Sequence, residues 1–158
     1  TTKGTTTLSL DVFVSNDESW IASKTEPEGT LSKPFYDLED AINYGYDKAA
    51  PHRSTQINIY LWKGSHYLLY SPTWFYRNKY YRDDNNVDLQ ISISPLYCTY
   101  SNTGGVSITS FCGSSGTKVT VYNKRGSNFG LSSVTKLTDI VFDSLDSLLS
   151  PSDPTSMT

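Results

Sequence analysis

The chain contains 158 residues with a mass of 17.6 kDa, the size of a single domain that can bury roughly 70% of its unfolded surface. Hydrophobic residues make up 37% of it and charged residues 18%, and the 12 Tyr, 3 Trp and 6 Phe argue against disorder. The net charge of −3 gives no basis for binding nucleic acid, and no apolar run approaches the ~20 residues that span a bilayer. We therefore expect neither a nucleic-acid partner nor membrane insertion. Because the chain opens on TTKGTTT, without Met or a signal peptide, we interpret it as a processed product or a segment of a longer protein.

The first predicted elements are strands. Residues 8–14, LSLDVFV, alternate between apolar and other side chains, which predicts a half-buried strand. Its apolar face consists of Leu8, Leu10, Val12 and Val14. A second short strand is predicted through residues 19–22, SWIA, and residues 24–33 are interpreted as a loop.

The single predicted helix covers residues 34–50. Pro34 suits a first helical position, the acidic residues Asp37 and Asp40 favour the positive end of the helix dipole, and Pro51 stops the helix. We expect this helix to cap or cover a fold that is otherwise made of strands.

Alternation with period two returns after the helix. The segments that carry it are 57–61, 66–70, 87–94, 105–109, 118–123 and 137–149. Residues 83–86, DDNN, have the composition of a turn. We predict one β-rich domain over residues 1–149, followed by a tail or linker at 150–158.

Two architectures fit these strands. Apolar strands that return every 20–30 residues without helices between them suit the coils of a solenoid. An antiparallel β-sandwich has strands every 8–12 residues, which the chain approaches when its weak strands are counted. Periodicity leaves both architectures open.

Two cysteines, Cys98 and Cys112, lie in a segment rich in Ser, Thr, Gly and Tyr. They are either buried free thiols of a cytosolic protein or one disulfide that closes a loop of about 15 residues. The loop-like composition favours a disulfide, and hence an extracellular or cell-surface location. The chain contains no N-x-S/T glycosylation sequon.

A resemblance to a known family favours the solenoid. Residues 29–42, GTLSKPFYDLEDAI, followed by INIYLWKGSHY at 57–67, resemble the opening of pectin-lyase-like parallel β-helix domains. With 91–98 and 137–147, the likeness extends over residues 28–149 and is similar to segments of large secreted or surface proteins of ciliated protists. The resemblance implies a right-handed parallel β-helix of three to four coils with one N-terminal capping helix. It does not imply lyase activity, because the enzymes have many more coils.

Carboxylates are the first candidates for chemistry, because the enzymes of this family place several on one sheet face, often with Ca²⁺. Asp83, Asp84 and Asp88 lie near Arg77, Lys79 and Arg82. However, DDNN is also an ordinary turn, and neighbouring strand residues point to opposite faces. Asp139, Asp143 and Asp146 are equally explained as solvated turn positions.

The histidines, His52 and His66, lack a nucleophile in a motif such as G-x-S-x-G. We therefore predict no catalytic residue, no metal ligand and no cofactor. Aromatic residues crowd the stretch 60–81, where flat rings could stack on sugars or contact a protein partner. The candidate contact residues there are Trp62, Tyr67, Tyr70, Trp74, Tyr76, Tyr80 and Tyr81.

Two functions follow from these features. The first is a non-enzymatic structural protein, a subunit or segment of an extracellular coat, appendage or filament that assembles with itself or with neighbouring domains through strand edges. The second is a carbohydrate-binding module or a degenerate polysaccharide-acting β-helix enzyme that uses the aromatic stretch.

Overall fold

The computed structural model describes residues 7–49, 54–68, 88–123 and 134–144, which contain two helices and seven strands. In chain order these are β1 Thr7–Val14, α1 Glu18–Ser23, α2 Leu38–Ala49, β2 Ser54–Leu61, β3 Ser65–Leu68, β4 Asp88–Pro95, β5 Val119–Asn123, β6 Val134–Leu137 and β7 Ile140–Ser144. The predicted mainly-β class is confirmed.

The strands form two sheets. The first has the order β1-β2-β4-β6 and the second the order β3-β5-β7. Every strand pair in the described part of the chain is parallel. This pairing is incompatible with the antiparallel sandwich, because the neighbouring strands of each sheet run in the same direction.

The main core lies between the two sheets. Rows of inward-facing side chains cross each sheet, and Ile59 and Ile93 of the first sheet share one buried cluster with Leu68 and Val121 of the second. Helix α2 adds Leu38, Ala41 and Ile42 to the same cluster. The predicted role of the helix as a cover for the strands is therefore consistent with its contacts to β1, β2, β3 and β4.

Short turns carry the chain from the first sheet to the second. Gly64, with φ +112°, lies between β2 and β3, and Asp139, with φ +53°, lies between β6 and β7. The Tyr97 hydroxyl donates a hydrogen bond to the Asp139 carboxylate, which supports the second turn. These turns let one alternating stretch feed both sheets, so the predicted strand 137–149 divides between β6 and β7.

The predicted strand at residues 19–22 is wrong, because these residues lie in α1. Asp17 precedes the helix, and its carboxylate accepts hydrogen bonds from the backbone N–H (2.9 Å) and the hydroxyl (2.7 Å) of Ser19. Lys24 ends the helix in the left-handed region at φ 55°. A local cap outweighed the weak strand preference of Trp20 and Ile21.

Helix α2 begins four residues later than predicted. Pro34 does not occupy its first turn, because Phe35 pairs with the edge of β1: its N–H donates to the carbonyl of Phe13 at 2.9 Å, and its carbonyl accepts from Ser15 N–H at 2.9 Å. The helix starts only where the Asp37 carbonyl accepts from Ala41 N–H. The pairing with a distant strand overrides the local preference of Pro34.

The predicted strand at residues 105–109 is also wrong. Gly104 and Gly105 take positive φ angles of 62° and 89°, and the Ile108 carbonyl accepts from the N–H groups of Phe111 and Cys112, so the chain turns here. Ile108 is nevertheless buried in a second cluster on the outer face of the first sheet. That cluster consists of Phe13, Leu31, Trp62, Leu96, Ile108 and Cys112.

The remaining predicted elements agree in part. Strands 57–61, 66–70, 87–94 and 118–123 correspond to β2, β3, β4 and β5, with ends that differ by a few residues. The end of the 66–70 segment, the turn at 83–86, the end of the 137–149 segment and the tail at 150–158 lie outside the described residues.

Candidate functional site

A row of polar side chains crosses the outer face of the first sheet from one edge strand to the other. We call it the polar row, and its members, in register from β1 to β6, are Asp11, Asn58, Ser92 and Lys136. Asn58 Nδ2 donates to Asp11 Oδ1 at 3.0 Å, and Ser92 Oγ donates to Asn58 Oδ1 at 3.0 Å. The row therefore has neutral hydrogen-bonding groups inside, a carboxylate at one end and an ammonium at the other.

The acidic end of the polar row is held by neutral donors. Besides Asn58, Asp11 accepts a hydrogen bond from the Tyr100 hydroxyl, which approaches Oδ2 to 2.6 Å. Burial raises the pKa of Tyr100, and the hydrogen bond to Asp11 and its negative charge raise it further, so Tyr100 stays a donor at neutral pH. The Tyr100 ring also packs against Phe13 and Tyr60.

Beside Asp11, the outer edge of β1 is not paired with a strand in the described part of the chain. Trp62 N–H donates to the Val14 carbonyl at 3.0 Å. In a parallel ladder the backbone N–H and C=O groups of alternate residues point to the same neighbour, so those of the even-numbered residues of β1 point to β2 and those of the odd-numbered residues point away from it. The outward groups of Phe13 are bonded to Gly29 and Phe35, at 2.9 Å each. Those of Ser9 and Asp11 have no backbone partner among the described residues. A groove of about 490 Å³ runs along this edge, bounded by the segments around Leu31 and Asn102.

The opposite edge of the first sheet is also exposed. Leu137 belongs to the same inward-facing row as Ile59 and Ile93, which are fully buried, yet Leu137 is 40% exposed. Its neighbour Lys136 is exposed, and the Lys136 ammonium has no hydrogen bond or ion pair within the described part of the chain. The inward-facing row and the polar row therefore both end at β6, beside which no further strand is described.

A second cavity, of about 440 Å³, lies between the helices and β3. Ser15, Asp37 and His66 all line it, a combination that resembles a catalytic set. However, His66 Nε2 is bonded to the Trp62 carbonyl at 2.7 Å, and Ser15 Oγ accepts from Asp17 N–H at 2.9 Å. No hydrogen bond joins these three described residues to one another, so they do not form the linked nucleophile, base and acid of a catalytic triad in this structure.

Burial governs ionisation around this cavity. Desolvation lowers the pKa of His66 to about 4, despite its hydrogen bond to the Trp62 carbonyl, so the imidazole is neutral at pH 7. Desolvation also raises the pKa of Asp37, and it raises that of Asp40, with a smaller contribution from the Asp37 charge. Burial and the hydrogen bond to the Trp62 carbonyl account for a neutral His66, and its non-catalytic role stays a prediction.

The predicted disulfide is present: Cys98 and Cys112 are bonded, with their Cα atoms 5.0 Å apart. The backbone supports the link, because Cys98 N–H donates to the Gly113 carbonyl at 2.8 Å. The bond fixes the turn that covers the outer face of the first sheet.

Two of the predicted aromatic contact residues are described, and they differ sharply. Trp62 is only 7% exposed and stacks on Phe111 with ring centroids 3.9 Å apart, so it presents no open ring face. Tyr67 is 42% exposed and stacks on Tyr122, with centroids 5.8 Å apart. The other five candidates, Tyr70, Trp74, Tyr76, Tyr80 and Tyr81, lie outside the described residues.

Of the candidate carboxylates Asp83, Asp84 and Asp88, the structure describes one. Asp88 is the first residue of β4, whereas Asp83 and Asp84 and the basic residues Arg77, Lys79 and Arg82 lie outside the described residues. Nor do His, Cys, Asp and Glu side chains group in threes as a metal site within residues 7–49, 54–68, 88–123 and 134–144.

Sequence reasoning missed the polar row. Its members are dispersed over the chain and become neighbours only through the register of four strands. The one available signal was that Asp11, Asn58 and Ser92 each sit between two apolar residues of an alternating segment.

Comparison with known proteins gives no family assignment. No protein-family model, no curated protein and no solved structure matches the chain. In the described ranges, neither helix has the length and apolar composition that crossing a membrane requires.

Proposed function

We propose that this chain is an extracellular structural protein without enzymatic activity, a subunit or segment of a filament, coat or appendage. In this proposal the two parallel sheets are the walls of a short right-handed parallel β-helix, since connections between parallel strands of one sheet are right-handed in nearly all proteins. Copies or neighbouring segments then join at the open strand edges.

The observation that carries the proposal is the open edge of β1 beside Ser9 and Asp11. Unpaired N–H and C=O groups on an edge strand are a template for another strand, and proteins that avoid such pairing cover them or place charged side chains there. The two edges of this sheet carry opposite charges, Asp11 on β1 and Lys136 on β6, so these charges disfavour the pairing of like edges and favour that of unlike edges. Among the described residues, Gly29 and Phe35 cover the end of β1, next to Phe13, and none bonds to the outward backbone groups of Ser9 and Asp11. The exposed Leu137 on the last strand supplies an apolar surface at the other edge.

The disulfide supports the extracellular part of the proposal. Cytosolic thiols are kept reduced, whereas secreted proteins retain such links. The Cys98–Cys112 bond joins residues 14 positions apart in a turn-rich segment with no regular strand among the described residues. That segment gains more order from a covalent link than a strand would.

Association across a concentration series tests the proposal. We expect the sedimentation coefficient of the purified protein to increase with its concentration, and negative-stain images to show rods. Ser9→Pro removes an outward N–H of β1 without breaking a bond to β2, so this variant should remain monomeric with an unchanged circular dichroism spectrum. Ser9→Ala keeps the N–H and should assemble like the wild type. A wild type that stays monomeric up to millimolar concentration would contradict the proposal.

Carbohydrate binding is the second candidate function, favoured by the exposed Tyr67 ring. Tyr67 and Tyr36 line the cavity of about 440 Å³ together with Glu18 and Asn16, which combines ring faces with polar groups. A glycan array tests this candidate: binding that is lost in Tyr67→Ala and kept in Tyr67→Phe would support it. Absence of binding to every glycan would leave only the structural proposal.

A further inference from the structure

We propose that Lys136 of one copy pairs with Asp11 of the next copy, so that β6 of the first molecule continues the sheet onto β1 of the second. This inference rests on the proposed assembly and specifies its partner, direction and register. The partner is a second copy of the chain, and the contact is head-to-tail.

The directions of the free backbone groups at the two edges permit this junction. Thr138 N–H donates to the Ile93 carbonyl at 3.0 Å, so in the parallel ladder Leu137, opposite Ile93, directs its own N–H and C=O away from β4. The N–H and C=O of Asp11 point away from β2 in the same way. A ladder that places Lys136 opposite Asp11 therefore lets Leu137 N–H donate to the Asp11 carbonyl.

The side-chain rows select the same register. With Lys136 opposite Asp11, Leu137 lies opposite Val12, and the buried row of Val12, Ile59, Ile93 and Leu137 continues across the junction. A slip of one residue would set Leu137 opposite Asp11 or Phe13, so that the core face of one molecule would meet the outer face of the next. The junction is short because the backbone N–H and C=O of Phe13 are already bonded to Gly29 and Phe35, so the new ladder cannot extend beyond Val12.

Charge determines the direction. Asp11 has the neutral donors Asn58 and Tyr100, and the exposed Lys136 ammonium has no partner among the described residues, so joining unlike ends brings a carboxylate to an ammonium. Joining like ends would place Asp11 against Asp11 or Lys136 against Lys136, which is unfavourable. A repeated head-to-tail contact does not close on itself unless the rotation forms a ring, so it produces filaments.

Charge reversal tests the junction. In Lys136→Glu, every junction would oppose Glu to Asp11, and in Asp11→Lys every junction would oppose Lys to Lys136. We expect each variant alone to need at least about tenfold more protein for half-maximal assembly than the wild type. An equimolar mixture of the two should assemble again, because every alternating junction then joins unlike charges, and the doubly reversed chain should assemble by itself.

The controls separate this inference from the proposed function. Lys118→Glu makes the same charge change at an exposed lysine next to β5, inside the second sheet, and should assemble normally. If Asp11→Lys does not fold, Lys136→Glu still provides a test: added in small amounts, it should cap wild-type filaments and shorten them. Wild-type assembly that neither reversal nor mixing alters would overturn the junction and leave edge assembly standing. Failure of the wild type to assemble would overturn both.

Discussion

Asp11 and Lys136 occupy the first and last positions of one row of side chains that crosses all four strands of the first sheet. Neighbouring strands lie only about 4.8 Å apart, so stacked like charges would repel one another strongly. Asn58 and Ser92 avoid this repulsion, because each donates a hydrogen bond to the preceding member of the row. The opposite charges therefore remain only at the ends, where another sheet can meet them.

The hydroxyl of Tyr100 should contribute measurably to stability. In Tyr100→Phe, the Asp11 carboxylate loses its hydrogen bond at 2.6 Å and, among the described residues, keeps the donor Asn58. We expect the free energy of unfolding in urea to fall by about 2 kcal/mol. Tyr122→Phe is the control, because the Tyr122 hydroxyl has no hydrogen bond in the described part of the chain, and it should change stability little. Equal losses in the two variants would contradict this account.

Gly29 should not tolerate a side chain. Its φ is +81°, and a Cβ would lie 2.5 Å from Cε2 of the buried Phe35 ring. We expect Gly29→Ala to lower the free energy of unfolding, measured by thermal denaturation, by about 3 kcal/mol, because the left-handed backbone and the clash both oppose a side chain.

Gly116→Ala isolates the backbone contribution to that loss. Gly116 has a similar φ of +86°, but a Cβ there meets nothing within 4 Å. Its substitution should cost about 1 kcal/mol. A Gly29 variant as stable as the Gly116 variant would show that Phe35 moves aside freely.

His66 should make the protein less stable in mild acid. Because burial lowers its pKa from 6.5 to about 4, the unfolded chain binds more protons than the folded one between these values. The free energy of unfolding should therefore fall as the pH drops from about 6.5 to about 4, by on the order of 3 kcal/mol.

His66→Gln keeps a donor for the Trp62 carbonyl and removes this titration. Asp37 and Asp40 have raised pKa values, so they stabilise the folded state as the pH falls through those values, and the effect of His66 is read as the difference between wild type and variant. Urea unfolding at pH 7, 6, 5 and 4 measures it. Parallel pH curves for the two proteins would exclude His66 as the cause.

Reduction of the disulfide should destabilise the protein. The Cys98–Cys112 link closes a loop of about 15 residues, for which the chain-entropy model gives about 3 kcal/mol. The doubly substituted Cys98→Ser, Cys112→Ser chain should show this loss in urea unfolding. A reductant should lower the midpoint of the wild type and leave that of the double variant unchanged; a reductant effect on both would point to another cause.

Local patterns were sufficient for many individual elements. Alternation in LSLDVFV and in 87–94 predicted β1 and β4, because a strand with one buried face must alternate. The same patterns failed where a local cap or turn competed, as Asp17 did at α1 and as Gly104 and Gly105 did before Ile108. Caps and turns depend on local backbone hydrogen bonds, which the alternation of apolar and polar residues does not reveal.

By itself, the amino-acid sequence determined which faces of β1, β2 and β4 are buried, that β-strands dominate, and that Cys98 and Cys112 were candidates for a bond. Only the tertiary structure decided that the strands run parallel and that Asp11, Asn58, Ser92 and Lys136 share one row. Alternation specifies the two faces of a strand, but neither its direction nor its neighbour. Those depend on backbone pairing between residues far apart in the chain, and on the burial that such pairing allows.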